Sequence, residues 1–276
     1  MQPDTPAVQV FLTRPAGRNG TVPERLTAAG LNVHEVPALE LRPIPVADTA
    51  PGPGAYDVIV FVSRYAVQRY LQWQFERAAT DSSWPVSTFA ATVGASSAQA
   101  LIDSGLVPSP CIVHPPADTP AQDSEALLAE LNCRGIEPRR VLIVRGTQGR
   151  EWLAEALAQR GAQIDFLPVY ERVPAHWPQH LASSLVEALR SPELSVFLLT
   201  SSEGVRAMAR RLEDLGVLAH WADAGFVALH ERIGATLQSV LASQSDTGVR
   251  RLKLCMPDDD SIVEAIHAVA RQAAKP

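Results

Sequence analysis

At 276 residues, with 46% hydrophobic and 20% charged residues, the chain has the composition of a globular rather than a disordered protein, and is long enough for about two domains of roughly 150 residues, each burying its own core. A formal net charge of −6 and a pI near 5.7 exclude the broad basic surface on which nucleic-acid binding depends, leaving room only for a local basic cleft. Cys111, Cys133 and Cys255 stand far apart and in no CxxC spacing, which fits small apolar core positions in a reducing cytoplasm; the apolar run of MQPDTPAVQVFLTR, ended by Arg14, is too short for a signal segment or a membrane span.

Val8 to Thr13 reads as a buried strand, followed by a helix from Asn19 or Thr21 to Ala29 with Pro23 in its first turn and Gly30 as its stop. The next strand, Val33 to Leu41, carries Pro37, a residue suited to an edge strand or a connector. Beyond the proline-rich residues 43 to 54, Tyr56 to Ser63 (YDVIVFVS) is a nearly continuous apolar run, as in a parallel strand covered on both faces. A helix from Ala66 to Gln74 or beyond follows, then a strand from Thr88 to Gly94 (TFAATVG) and a helix from Ser96 to Asp103 stopped by Gly105. Cys111 to His114 is a short strand, Asp123 or Ser124 caps a helix to Leu131, and Arg140 to Arg145 is again a strand.

Residues 141 to 173, VLIVRGTQGREWLAEALAQRGAQIDFLPVYERV, repeat residues 10 to 42 without a gap, at a constant offset of 131 that sets Val10 on Val141, Arg14 on Arg145, Leu26 on Leu157, Gly30 on Gly161 and Pro37 on Pro168. The remaining second half follows the order of the first at offsets of 136 to 138: Leu194 to Thr200 answers Val58 to Val62, Phe226 to His230 answers Ala90 to Gly94, and Ser261, capping Ile262 to Ala270, answers Ser124. Leu252 to Met256 likewise answers the Cys111 strand. Such a long-range duplication means two like domains. Alternating strands and helices predict parallel βαβ units with right-handed crossovers. The expected fold is α/β: two similar doubly wound parallel-sheet domains of flavodoxin-like type, joined by a two-stranded linker made from the proline-bearing segments. One domain is discontinuous, residues 1–38 plus 174–276, and the other, residues 39–173, is inserted into it.

Ligands of open parallel sheets bind beyond the carboxyl ends of the strands. The residues there are small and polar: Thr13 and Arg14, Ser63 and Arg64, Gly94 to Ser97, Arg145 to Gly149 (with Gly146), Thr200 to Ser202, and His230 to Arg232. Helix-start N–H groups flanked by hydroxyls suit an anion. Any one of these residues is more simply an N-cap or a tight turn; the set, present in both repeats with arginine at both Arg14 and Arg145, points to binding. No GxGxxG follows a strand and no GxxxxGK[ST] occurs, which excludes the familiar nucleotide cradles. His176 and His180 have helical spacing but are separated by Pro178 and lack a third ligand, so they read as surface or loop histidines. Ser201 lacks a GxSxG elbow and local His and Asp partners. The run Asp258 to Asp260 favours the N-terminal dipole of the following helix, with metal binding as the weaker reading. Tyr170 breaks the repeat, since its echo is Leu39; it is either a packing residue with a wet hydroxyl or a proton donor.

Taken together, VFLTRPAGR, YDVIVFVSRYAV, AATVGASSAQAL, VLIVRGTQGREWLAEALAQRGAQIDFLPVYERV, VFLLTSSEGV and FVALHERIGATL, in this order and with the duplication, resemble the uroporphyrinogen-III synthase family over nearly the whole chain. The resemblance implies two α/β domains joined by a two-stranded ladder with the active site in the cleft. It implies hydroxymethylbilane, a linear tetrapyrrole polycarboxylate, as substrate of a cyclising lyase in heme and siroheme biosynthesis. Water is lost to give an azafulvene, the chain closes through a spirocyclic pyrrolenine, and uroporphyrinogen III forms with ring D inverted, without cofactor or metal. It also implies Tyr170 as proton donor to the leaving hydroxyl, and Ser63, Ser96, Ser97, Ser201 and Ser202 as hydroxyl and N–H donors to carboxylates. Arg14 and Arg145 are added candidates from the repeat. The sequence departs from the family's commoner pattern at Arg64 and Tyr65, after the first serine, and at His230, Glu231 and Arg232, where a glycine-led, hydroxyl-bearing turn is usual; at Arg232 a charged contact in place of a hydroxyl one is expected. A cytoplasmic monomer without nucleic-acid or membrane partners is expected. The alternative from another class is a non-catalytic two-domain binding protein for a small anion.

Overall fold

Two sheets built on parallel strands carry the fold, and their central strands Val58–Phe61, Arg140–Gly146, Ser195–Leu199 and Gly225–Ala228 are apolar runs covered on both faces. The computed structural model describes residues 8–47, 49–77, 83–116, 123–242 and 249–274; the residues before Val8, read above for a leader, lie outside these. The elements in chain order are β1 (Gln9–Leu12), α1 (Val22–Ala28), β2 (Asn32–Glu35), β3 (Leu39–Pro43), β4 (Val58–Phe61), α2 (Arg64–Arg77), β5 (Phe89–Thr92), α3 (Ala95–Ser104), β6 (Ile112–Val113), α4 (Ser124–Cys133), β7 (Arg140–Gly146), α5 (Trp152–Ala158) and β8 (Gln163–Pro174). There follow α6 (Gln179–Arg190), β9 (Ser195–Leu199), α7 (Ser202–Asp214), α8 (Leu218–Trp221), β10 (Gly225–Ala228), α9 (Glu231–Leu241), β11 (Arg251–Leu254) and α10 (Asp259–Ala270).

The chain divides into one unit of Met1–Glu40 with Val173–Pro276 and a second of Leu41–Arg172, so it passes between units inside β3 and inside β8. The first unit's sheet has the order β11-β10-β9-β1-β2 and the second's β3-β8-β7-β4-β5-β6. If β7 and β8 are matched to β1 and β2, and β4, β5 and β6 to β9, β10 and β11, the two orders coincide, with β3 added at one edge. The same arrangement is thus reached by two chain orders, as the repeat at residues 10 and 141 requires.

Period-two alternation sorts each strand's residues onto two faces. In the first unit Phe11, Phe197 and Phe226 point to one side, where Phe11 and Phe197 stack at 4.8 Å and Trp221 meets Phe226 edge-on at 5.5 Å. Val10, Leu12, Val196, Leu198 and Val227 point to the other side, against Ile262, Ile266 and Val269 of α10. In the second unit Ile59, Phe61, Leu142 and Val144 pack with α2 and α3, whereas Val58, Val60, Val141 and Ile143 pack with α4 and α5. The paired helix stops hold: Gly30 and Gly161 have φ of +83° and +91°, a left-handed conformation that glycine reaches without a Cβ penalty.

Several local expectations are corrected. Val33 to Leu41 is two strands, because the chain leaves the sheet at Val36–Ala38 around Pro37, which has no N–H to donate; the flanking Val36 and Ala38 amides still donate to Leu12 and Thr13 carbonyls at 2.9 and 3.0 Å. Its echo Pro168 stays within β8, opposite Arg145, just before a register shift that absorbs the irregularity. Helix α10 begins earlier than Ser261: Asp258 is the cap, its carboxylate accepting from the Ser261 amide at 2.8 Å. Helix α6 lacks an expected counterpart; it starts directly after Pro178, contains His180, and buries Leu185 and Leu189. Of the cysteines only Cys111 is buried; Cys133, the last residue of α4, is exposed and Cys255 half-buried. Among the described residues no helix is long and apolar enough to cross a membrane.

Candidate active site

In the second unit, the carboxyl ends of β4, β5 and β7 bring Ser63, Gly94 and Gly146 to one rim beside Tyr170 of β8. Ser63 caps α2, its Oγ accepting from the Ala66 amide at 3.1 Å, and the same oxygen lies 3.3 Å from the Tyr170 hydroxyl. Tyr170 is 4% exposed. Its ring stands edge-on to Tyr65 at 5.3 Å, and its carbonyl accepts from the Thr147 amide at 3.0 Å. Gly146 lies opposite Tyr170 at the register shift, and a Cβ there would come 2.8 Å from the ring's Cε2. Only glycine lets the ring approach this closely. Exposed Arg64 donates from Nε to the Ser96 carbonyl at 3.2 Å and so joins the first turns of α2 and α3. Gly94 occupies the N-cap of α3 and offers no capping side chain. Ser96 is exposed, whereas Ser97 is buried in the same turn.

In the first unit the matching rim is more self-satisfied. Thr13 is buried and donates to the Leu198 carbonyl at 2.6 Å. Thr200, directly after β9, is half-buried, and Ser201 caps α7 by accepting from the Gly204 amide at 3.0 Å. The Ser202 and Thr236 hydroxyls lie 2.9 Å apart, both within reach of the Arg232 carbonyl. His230 caps α9: its Nδ1 accepts from the Arg232 amide at 3.0 Å, which puts the proton of the neutral ring on Nε2. The Arg232 side chain belongs to an exposed residue.

The two duplicated arginines differ from expectation. Arg145 is 8% exposed, and its guanidinium donates to the Gly146 and Gly149 carbonyls at 3.2 and 3.3 Å, with Glu151 at 3.7 Å. Arg14 donates to the Arg18 and Pro257 carbonyls at 3.4 and 3.3 Å and lies 3.8 Å from Asp259; burial lowers its pKa, against the opposing pull of Asp259. Both guanidiniums bind the carbonyl four residues on, and so brace their own turns instead of standing open as anion forks. Asp259 accepts from the Thr21 amide and hydroxyl, each at 2.9 Å, and the Thr21 amide is the largest cause holding its carboxyl below the usual range.

Sequence reasoning missed the Tyr65 ring against Tyr170 and the Asp259–Thr21 lock between α10 and the start of α1. The acidic run 258 to 260 was a signal for the second; for the first, Tyr65 stood out only as a departure from the family pattern after Ser63, with nothing to tie it to Tyr170. His176 and His180 are both exposed.

A family model described as uroporphyrinogen-III synthase HemD matches residues 21–242. The uroporphyrinogen-III synthase of Escherichia coli K12 is 26% identical over 266 residues, 94% of this chain and 100% of its own length. That of Synechococcus elongatus is 30% identical over 216 residues, 75% of this chain and 76% of its own. Among solved structures, a variant of the uroporphyrinogen III synthase of Thermus thermophilus matches with a TM-score of 0.55 at 17% identity, over 96% of this chain and 100% of that one. The uroporphyrinogen-III synthetase of Helicobacter pylori matches with a TM-score of 0.54 at 15% identity, over 96% and 98%. At those identities the structural likeness is one of fold, mixed α/β with parallel sheets. With a family model spanning most of the chain and relatives aligned over most of both lengths, the chain belongs to the uroporphyrinogen-III synthase family.

Proposed function

We propose that this chain cyclises hydroxymethylbilane to uroporphyrinogen III, with loss of water and inversion of ring D, as a cytoplasmic monomer that needs no metal or cofactor. The observation that carries this reading is the Tyr170 hydroxyl beside Ser63 at the carboxyl rim of a parallel sheet, where ligands of such folds bind. Tyr170 gives its proton to the leaving hydroxyl, water departs, and the azafulvene closes through the spirocyclic pyrrolenine. After ionisation the enzyme's task is mainly to hold the chain so that ring D closes inverted, and positioning of this kind needs few dedicated acids and bases.

The substrate's carboxylates meet the first turns of α2 and α3 in the second unit, through Arg64, Ser96 and the backbone between Gly94 and Ser97, beside Gly146, while Ser63 acts on Tyr170. The first unit's rim by itself offers groups of the same kind at the turns Thr200 to Ser202 and His230 to Arg232. Helix N-termini, hydroxyls and exposed guanidiniums are the groups that a polyanion requires. We read the two units as similar doubly wound, flavodoxin-like domains joined by the strands β3 and β8. Strand order supports this, since numbering the first unit's strands by themselves yields 2-1-3-4-5, the flavodoxin-like order.

The test is incubation with enzymatically generated hydroxymethylbilane. Uroporphyrinogen III in the product supports the reading; if the spontaneous type I isomer alone appears, the chain is not a synthase.

A further inference from the structure

Resting on the reading of Tyr170 as proton donor, we propose that Arg145 is a positioning residue that holds the turn after β7 against the Tyr170 ring, and is not a ligand for substrate carboxylate. Its Nε and Nη2 are spent on the Gly146 and Gly149 carbonyls, Nη1 faces Glu151, and the guanidinium lies over the Phe166 ring at 5.0 Å. A guanidinium holds a carboxylate most strongly through an edge with two open donors, and this one is wrapped around its own turn. The turn in turn makes two contacts with Tyr170. Gly146 lies close enough to the ring that a Cβ would stand 2.8 Å from Cε2 and 3.1 Å from Cζ, and the Thr147 amide donates to the Tyr170 carbonyl at 3.0 Å. The ring also meets Tyr65 edge-on at 5.3 Å, and its hydroxyl lies 3.3 Å from Ser63. Arg145 therefore fixes the part of the tyrosine's slot that the turn after β7 forms.

The repeat supplies an internal control. Arg14 also donates to the carbonyl four residues on, at 3.4 Å. The residue after it is Pro15, however, and Leu39 stands where the second repeat has Tyr170. Bracing the turn is common to both copies; the tyrosine slot exists in one.

Arg145→Met and Gly146→Ala test this from opposite sides, the first loosening the turn and the second pushing a methyl at the ring while the guanidinium stays. A catalytic group displaced by about 1 Å costs on the order of 10²-fold, so kcat is expected to fall roughly 10- to 100-fold in both variants with KM within about twofold. In a Tyr170→Phe background neither change lowers kcat further. If Arg145 instead grips a carboxylate, Arg145→Met raises KM and weakens its salt dependence in both backgrounds, which overturns the proposal. A readout independent of turnover is the 19F resonance of 3-fluorotyrosine placed at position 170: it shifts in both variants and stays in place in Arg14→Met, and an unmoved signal in Arg145→Met also overturns the proposal. Should Tyr170→Phe turn over at the native rate, the proton-donor reading falls, while the fluorine signal still decides whether Arg145 holds the ring.

Discussion

The Tyr170 hydroxyl lies 3.3 Å from Ser63 Oγ, across 107 residues of sequence, and that same Oγ accepts from the Ala66 amide at 3.1 Å. With one lone pair committed to the amide, Ser63 can donate its own hydrogen to the phenolic oxygen. That leaves the tyrosine's hydrogen for the substrate and stabilises the phenolate that remains after transfer.

Tyr170→Phe removes only the hydroxyl from a side chain that is 4% exposed, so fold and unfolding midpoint stay near native while turnover falls by about 10²- to 10⁴-fold, the usual worth of a positioned general acid. Circular dichroism and the rate of uroporphyrinogen III formation separate the two effects. Native turnover would return Tyr170 to a packing role.

Ser63→Ala loses both the cap and the contact to Tyr170. It is expected to cost about 1 kcal/mol of stability through the cap and also to lower kcat. In combination with Tyr170→Phe the kcat effect should not add, because the two hydroxyls act as one unit. A full additive loss would mean that Ser63 serves the substrate directly.

Affinity for hydroxymethylbilane is expected to fall as salt rises, since exposed Arg64 and Arg232 and the helix starts beside them attract carboxylates through solvent, with a screening length of about 10 Å at 0.1 M. KM measured from low to high ionic strength checks this, and a flat response argues against charged contacts.

Asp259 has its pKa lowered, first by the Thr21 amide and further by Arg14 and Arg25. A carboxyl whose folded pKa lies below its unfolded value of about 3.9 adds stability above that value and loses it as pH falls through the folded pKa. Asp259→Asn is therefore expected to destabilise the protein near neutrality and to narrow its deficit as pH drops below about 4. Denaturant midpoints at several pH values test this; a deficit constant down to strong acid would assign the loss to packing.

Gly225 of β10 is buried, and a Cβ there would collide with Val269 Cγ1 of α10. Gly225→Ala should cost about 1–3 kcal/mol as an overpacked core. Gly52, where an added Cβ would meet nothing within 4 Å and φ is −72°, should accept alanine nearly neutrally. Urea unfolding of both variants makes the comparison.

The α/β class, the duplication and most of the elements were legible along the chain, because those signals are local. Continuous apolar runs such as VIVF of β4 need cover on both faces, Gly30 and Gly161 stop their helices by conformation, and Ser201 caps α7 through an amide three residues away. What equivalent residues do was not legible there, since it depends on their neighbours in space. Pro37 lies in a gap between strands and Pro168 lies inside one. The open anion forks expected of Arg14 and Arg145 are closed on their own turns. Ser63, Tyr65, Gly146 and Tyr170 become neighbours because β4 pairs with β7 and β7 with β8. Strand pairing is a long-range choice set by how whole faces are buried, and no spacing along the chain records which rim residue a given tyrosine will face.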